Sequence, residues 1–220
     1  MLRKLFGYFI EKDANNITDS NELRYLESEQ QGFEEDIVLV LDVSGSMDTA
    51  DYPPNRLEAA KIASFEFVKE KIAKNPLVRI GVVSFSDIGK VASNIVSARD
   101  YINPLYSSIR KLRIGGGTDI SIGLEYAYNL LQRDSNFNAI RRIILLTDGH
   151  GGNPIRLSKD IKSKGIIIQI IGIGGSPNSV NEKLLKKVAS IVQGEIQYRF
   201  IGDKRALVEH FKNLASNITK

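Results

Sequence analysis

The sequence predicts an α/β domain: a doubly wound, mostly parallel six-stranded sheet with one antiparallel edge strand and helices on both faces. Three observations lead there. From residue 36 onward, apolar runs of strand length alternate with segments of helical period. The runs ILLT and IIIQII are nearly all apolar, as in strands covered on both sides. Between the second and third strands only residues 86 to 90 intervene, too few for a helix, so that pair is expected to run antiparallel at an edge.

The elements follow in order. IVLVLDV is the first strand, and a helix from Arg56 to Lys74 follows, with Leu57, Ala60, Phe65, Val68 and Ile72 recurring at helical spacing. VRIGVVSFS closes a βαβ unit, and Val91 to Val96 is the edge strand. A short helix near 100–112 precedes the loop GGGT, after which Asp119 to Arg133 reads as a helix and RRIILLTD as a strand. A helix near 154–164, the strand IIIQIIGIG, a helix near 179–192, a strand at 196–201 and a helix from Lys204 to about Ser216 complete the pattern. At 220 residues the chain is long enough for one such core, expected over residues 34–217.

Residues 1–33 read as an appendage. MLRKLFGYFI is broken at Gly7 and ends in charges, too short to span a bilayer and with no small-residue cleavage site after it. It is expected to be an amphipathic leader packing on the domain or a partner, with a polar linker over 13–33 and no membrane association. Thirty basic and 26 acidic residues leave a formal charge of +4 without a long basic block, so nucleic-acid binding is not expected. The chain has no cysteine, which removes disulfides, thiolate metal sites and thiol nucleophiles, and fits a reducing cytoplasm.

The chemistry concentrates where strands end. In open parallel sheets ligands gather beyond the carboxyl ends of the strands, where strand order reverses. Three polar clusters feed that crevice: Asp42-x-Ser44-x-Ser46, the glycine loop leading to Thr118 and Asp119, and Thr147-Asp148-Gly149. Spacing by two points Asp42, Ser44 and Ser46 to one side while the chain stays extended. Two carboxylates and three hydroxyls make a hard, all-oxygen set suited to Mg²⁺ first, with Mn²⁺ or Ca²⁺ as alternatives, and unsuited to zinc. Gly115 to Gly117 let their loop come close to such an ion.

Other tempting residues carry plainer expectations. Asp48 and Asp51 read as solvated loop acids, Asp119 as a first-turn acid favoured by the helix dipole, and His150 as a surface histidine. GIGGSP lacks phosphate-loop spacing and reads as a turn, and the tyrosines at 101, 106, 126 and 128 read as packing residues.

With D-x-S-x-S, GGGTD and TDG in this order, the chain resembles von Willebrand factor A (vWA) domains carrying a metal-ion-dependent adhesion site, over roughly residues 34–215. The resemblance implies a Rossmann-like fold and a non-enzymatic protein-interaction module. It implies Asp42, Ser44, Ser46, Thr118 and Asp148 as metal ligands, some through water, with an Asp or Glu of a protein partner completing the sphere. The stretch from TDG through IIIQIIGIGG to RFIGDKRALVEHFKNLA is also similar to the tellurite-resistance-associated intracellular A domains, which implies a cytoplasmic scaffold or regulator. The competing class is a Mg²⁺-dependent phosphoryl hydrolase or phospho-acceptor using Asp42, since such enzymes also place an Asp after their first strand. Ser44 stands where those phosphatases need a second acid, and Glu34, Glu35 and Asp36 precede the strand rather than follow it.

Overall fold

The computed structural model describes residues 34–136 and 138–216. The leader, the linker and residue 217 lie outside the described residues. The chain forms β1 (Glu35–Asp42), α1 (Arg56–Lys74), β2 (Val78–Phe85), β3 (Gly89–Ser97), α2 (Ile102–Arg110), α3 (Ile120–Asp134), β4 (Ile140–Thr147), α4 (Ile155–Ser163), β5 (Ile167–Ile173), α5 (Glu182–Val188), a hairpin of β6 (Ile191–Val192) and β7 (Glu195–Ile196), β8 (Tyr198–Ile201) and α6 (Lys204–Ser216).

β1 has no exposed residue because it lies at the middle of the sheet, ordered β3-β2-β1-β4-β5-β8. All neighbours pair in parallel except β2 with β3 at the edge, as the short connection requires. Side-chain alternation along each strand splits the core in two. Ile37, Leu39 and Leu41 of β1, with Ile144 and Leu146 of β4, pack under α1, α2 and α6. Val38 and Val40, with Ile143 and Leu145, pack under α3, α4 and α5.

β1 connects outward to β2 on one side, while β4 lies on its other side and continues to β5. The order reverses between β1 and β4, so the crevice opens at Asp42 and Thr147, where those strands end. At the opposite pole Glu35, fully buried, pairs with Lys71 at 2.8 Å and Arg142 at 3.1 Å. Glu35 therefore belongs to a structural ion cluster at the pole opposite the crevice, and Asp36 beside it is held by Arg79 and Ser135.

One expectation is corrected. The helix foreseen over 179–192 is the shorter α5, preceded by a 3₁₀ turn at Pro177–Ser179. The chain leaves α5 after Val188 to form the β6–β7 hairpin, whose loop residues Gln193 and Gly194 have φ of 52° and 84°. Two consecutive positive φ values are the mark of a type I′ turn, and β-branched Ile191 and Val192 favour the strand that feeds it. The tyrosines also divide. Tyr106 stacks edge-on against Phe65 and Tyr128 packs on the core, whereas Tyr101 and Tyr126 are exposed.

Candidate metal centre

Three loops converge beyond the ends of β1 and β4. Asp42, the last residue of β1, is 0% exposed. Its Oδ1 accepts the Ser44 amide at 2.8 Å and its Oδ2 accepts the Thr147 hydroxyl at 2.6 Å. Burial pushes the Asp42 carboxyl up to about 6, against the hydrogen bonds from Ser44 and Thr147 that favour its ionised form, and the neighbouring Asp148 adds to the rise.

After Asp42 the chain does not stay extended as far as Ser46. Ser44 is the N-cap of a 3₁₀ turn over Gly45–Asp48, and Ser46 lies inside that turn. The two hydroxyls still meet, 3.1 Å apart, Ser44 buried and Ser46 exposed. The convergence expected from spacing by two is thus produced by a tight turn.

The glycine loop is stitched to this turn by backbone hydrogen bonds. Gly45 N–H donates to the Gly116 carbonyl at 2.8 Å, and Gly115 N–H to the Val43 carbonyl at 2.6 Å. Thr118 is half-buried, one residue before Asp119, which caps α3 by accepting the Ser121 amide at 2.8 Å. Thr118 is also backed by the loop after β4. Gly151 has φ +101°, and a Cβ there would lie 1.9 Å from the Thr118 carbonyl oxygen.

Asp148 follows Thr147 at the end of β4 and is 2% exposed. Its Oδ2 pairs with Arg56 at 3.3 Å, while its Oδ1 is buried without a hydrogen-bond partner. Arg56 was not foreseen as part of the site. It is the first residue of α1, a helix started by Asn55, whose side chain accepts the Glu58 amide. Its guanidinium also grips Asp51 through two hydrogen bonds, at 2.8 and 2.6 Å, so Asp51, an exposed loop acid as expected, is also held in an ion pair. Buried Tyr52 next to it fixes this segment to the far strands, its hydroxyl bonding the carbonyl of Ile201 and accepting the Gly174 amide. Asp48 accepts from Asn55, and His150 lies exposed with Nε2 2.7 Å from the Ser179 carbonyl.

Among the described residues no group of three or more carboxylates, imidazoles and thiolates forms a metal cage. The candidate donors here are two buried carboxylates, Asp42 and Asp148, with the hydroxyls of Ser44, Ser46 and Thr118 on the loops around them. Thr147, which the sequence marks only as part of a polar cluster, serves Asp42 instead.

Residues 37–150 match the model of the von Willebrand factor type A domain. The chain is 28% identical to calcium-activated chloride channel regulator 1 of Bos taurus over 185 residues, covering 82% of this chain and 19% of that protein. It is 28% identical to 26S proteasome non-ATPase regulatory subunit 4 of Dictyostelium discoideum over 145 residues, covering 62% of this chain and 40% of that protein. The chain thus spans less than half the length of either relative. The solved SpRpn10 VWA domain covers 85% of this chain and 100% of its own, with a TM-score of 0.68 at 23% identity. The pilus adhesin SpaC of Lactobacillus rhamnosus GG reaches a TM-score of 0.71 at 18% identity, over 85% of this chain and 31% of its own. The structural likenesses concern the fold, and the matched family model spans more than half of the chain, from the start of β1 through the loop after β4. The chain belongs to the von Willebrand factor type A domain family.

Proposed function

We propose that this domain is a metal-dependent protein-interaction module, in which Asp42, Ser44, Ser46, Thr118 and Asp148 hold a Mg²⁺-type cation and an Asp or Glu of a protein partner completes its sphere. The observation that carries this reading is Asp148 Oδ1, a carboxylate oxygen buried with no hydrogen-bond partner beside the buried Asp42. Burying such an oxygen unpaired is costly, and a hard cation among hydroxyls would satisfy it. When bound, the cation supplies an electrophilic position for an oxygen ligand. The chain's own part is to orient the donors: Thr147 and the Ser44 amide fix Asp42, Arg56 fixes Asp148, and the stitched loops hold the serines near Gly116. With three of five donors neutral hydroxyls, the ion keeps enough positive charge to attract an acid.

The same geometry speaks against Asp42 as a phosphoryl nucleophile. Both of its oxygens are engaged and it is fully buried, and Ser44 occupies the place of the general acid. The relative named as a proteasome subunit and the cysteine-free composition support placing the module in the cytoplasm, as a scaffold or regulator. The similarity of the chain's second half to tellurite-resistance-associated A domains supports the same placement. Among the described residues no helix is long and apolar enough to cross a membrane.

Titration calorimetry with Mg²⁺ and Mn²⁺ tests the reading. The wild type is expected to bind, and Ser44→Ala to lose about tenfold or more, the scale of one lost ligand. No binding heat in the wild type would remove the metal, and equal binding by both proteins would remove Ser44 as a ligand. A Mg²⁺-dependent turnover of a generic phosphoester, abolished in Asp42→Asn, would make the chain an enzyme instead.

A further inference from the structure

Beside the cation loop a cavity of 360 Å³ opens between the end of β2, the start of β3 and the end of α2. Its apolar wall is Val43, Leu112 and Ile88, the last 72% exposed on the β2–β3 turn. Lys90, Lys111 and Arg113 line its rim, all exposed. None of these three cations forms an ion pair among the described residues. Arg113 is nonetheless held, donating to the carbonyls of Arg110 and Leu112 at 3.2 and 3.0 Å. Asp87 on the same turn, accepting the Ser86 hydroxyl, offsets one charge and leaves an excess of two. Val43 joins groove and site: it follows Asp42, and its carbonyl accepts the Gly115 amide that closes the glycine loop.

We propose that this groove is the docking surface for an acidic segment of the protein partner, which places an apolar side chain against Val43, Ile88 and Leu112 and further carboxylates on the three cations. The inference rests on the metal-dependent reading above and specifies the partner's chemistry. A lone cation would accept any exposed acid. The groove adds selectivity, because only an acid flanked by an apolar residue and more acids satisfies both surfaces. Its volume lies within the about 300–1,000 Å³ of pockets that take small ligands. An excess of two positive charges around the exposed Ile88 gives this surface a sign that complements an acidic segment. A nucleic-acid backbone would use the cations and leave the apolar wall empty.

A display library of short random peptides, panned on the full chain in Mg²⁺ and in chelator, provides the test. The expected selection appears only in Mg²⁺, and consists of peptides with an acid accompanied by an apolar residue and further acids. Against a labelled selected peptide, the double variant Lys90→Glu/Lys111→Glu is expected to lose about tenfold or more in affinity, as charge opposition at an interface does. Ile88→Ser, at an exposed position, is expected to weaken binding and relax the apolar preference. By calorimetry Ile88→Ser should keep the wild-type Mg²⁺ affinity and the double variant should bind Mg²⁺ at least as tightly as the wild type, which shows the cation loop intact. If Mg²⁺-dependent peptides are selected but bind these variants as tightly as the wild type, the groove proposal falls and the metal reading stands. If selected peptides bind equally in chelator, the metal reading falls and takes the proposal with it. Tighter binding of a mixed-sequence single-stranded oligonucleotide than of any selected peptide also overturns it.

Discussion

At the residue scale the balance turns on Arg56. It lies between Asp51 and Asp148, taking both oxygens of the first and one of the second. It turns Asp148 so that Oδ1 is left without a partner, and it offsets negative charge at the site. Arg56→Gln would leave buried Asp148 without its countercharge, a change that costs about 3–5 kcal/mol for fully buried pairs and less here because Asp51 is partly exposed. The metal-free melting temperature is therefore expected to fall, while the Mg²⁺-induced rise in melting temperature grows, since the cation meets a more negative site. Thermal melts with and without Mg²⁺ check this; a smaller Mg²⁺ effect in the variant would mean that Arg56 matters for orientation more than for charge. Nothing in the sequence marked Arg56, because an arginine opening a helix is ordinary and its two partners are separated from it by 5 and 92 positions. Asp42, Ser44 and Asp148 stood out because they lie at or just beyond the ends of mostly apolar buried strands, where a polar side chain is costly unless it serves something.

At the element scale the centre is made by loops leaning on one another, and Gly151 is the tightest point. With φ +101° and the Thr118 carbonyl where its Cβ would go, Gly151→Ala must push the α3 entry away from the β4 end. The left-handed backbone alone costs an alanine about 1–2 kcal/mol, before the clash is relieved. The variant is expected to be less stable by about 2 kcal/mol or more, measured by urea unfolding, and to bind Mg²⁺ more weakly because Thr118 shifts. Gly194→Ala, at a positive φ with open space around it, is the control: a stability loss of about 1 kcal/mol with Mg²⁺ affinity unchanged. Elements with strong period were legible at this scale, β1 and α1 above all. The run after residue 179 was not, because Leu184, Leu185 and Val188 carry a helical spacing that hides the point where Gln193 and Gly194 turn the chain back. Periodicity records which face is buried and is silent about a two-residue turn.

At the scale of the whole molecule, the site should show itself in the dependence of stability on pH. In the folded, metal-free chain Asp42 holds its proton up to about pH 6, while an ordinary aspartate releases it near 3.8. Its contribution is present at low pH and is lost as pH rises through about 6, a loss of roughly 3 kcal/mol. His210 on α6 acts in the opposite sense. Burial, with Arg199 nearby, lowers it to about 4 from 6.5, so its contribution is present at neutral pH and is lost as pH falls from 6.5 toward 4. The two slopes oppose each other between about pH 4 and 6. In chelator the wild type should therefore show a shallow profile there, Asp42→Asn a stability that climbs with pH, and His210→Gln one that declines. Mg²⁺ should restore what Asp42 loses above about pH 6 and, at about pH 5.5, should displace a proton on binding, visible as a buffer-dependent heat that vanishes near pH 8. Identical profiles for wild type and Asp42→Asn in chelator would mean that the carboxylate at the end of β1 is ionised without cost, and would leave the cation without the strain it is proposed to relieve.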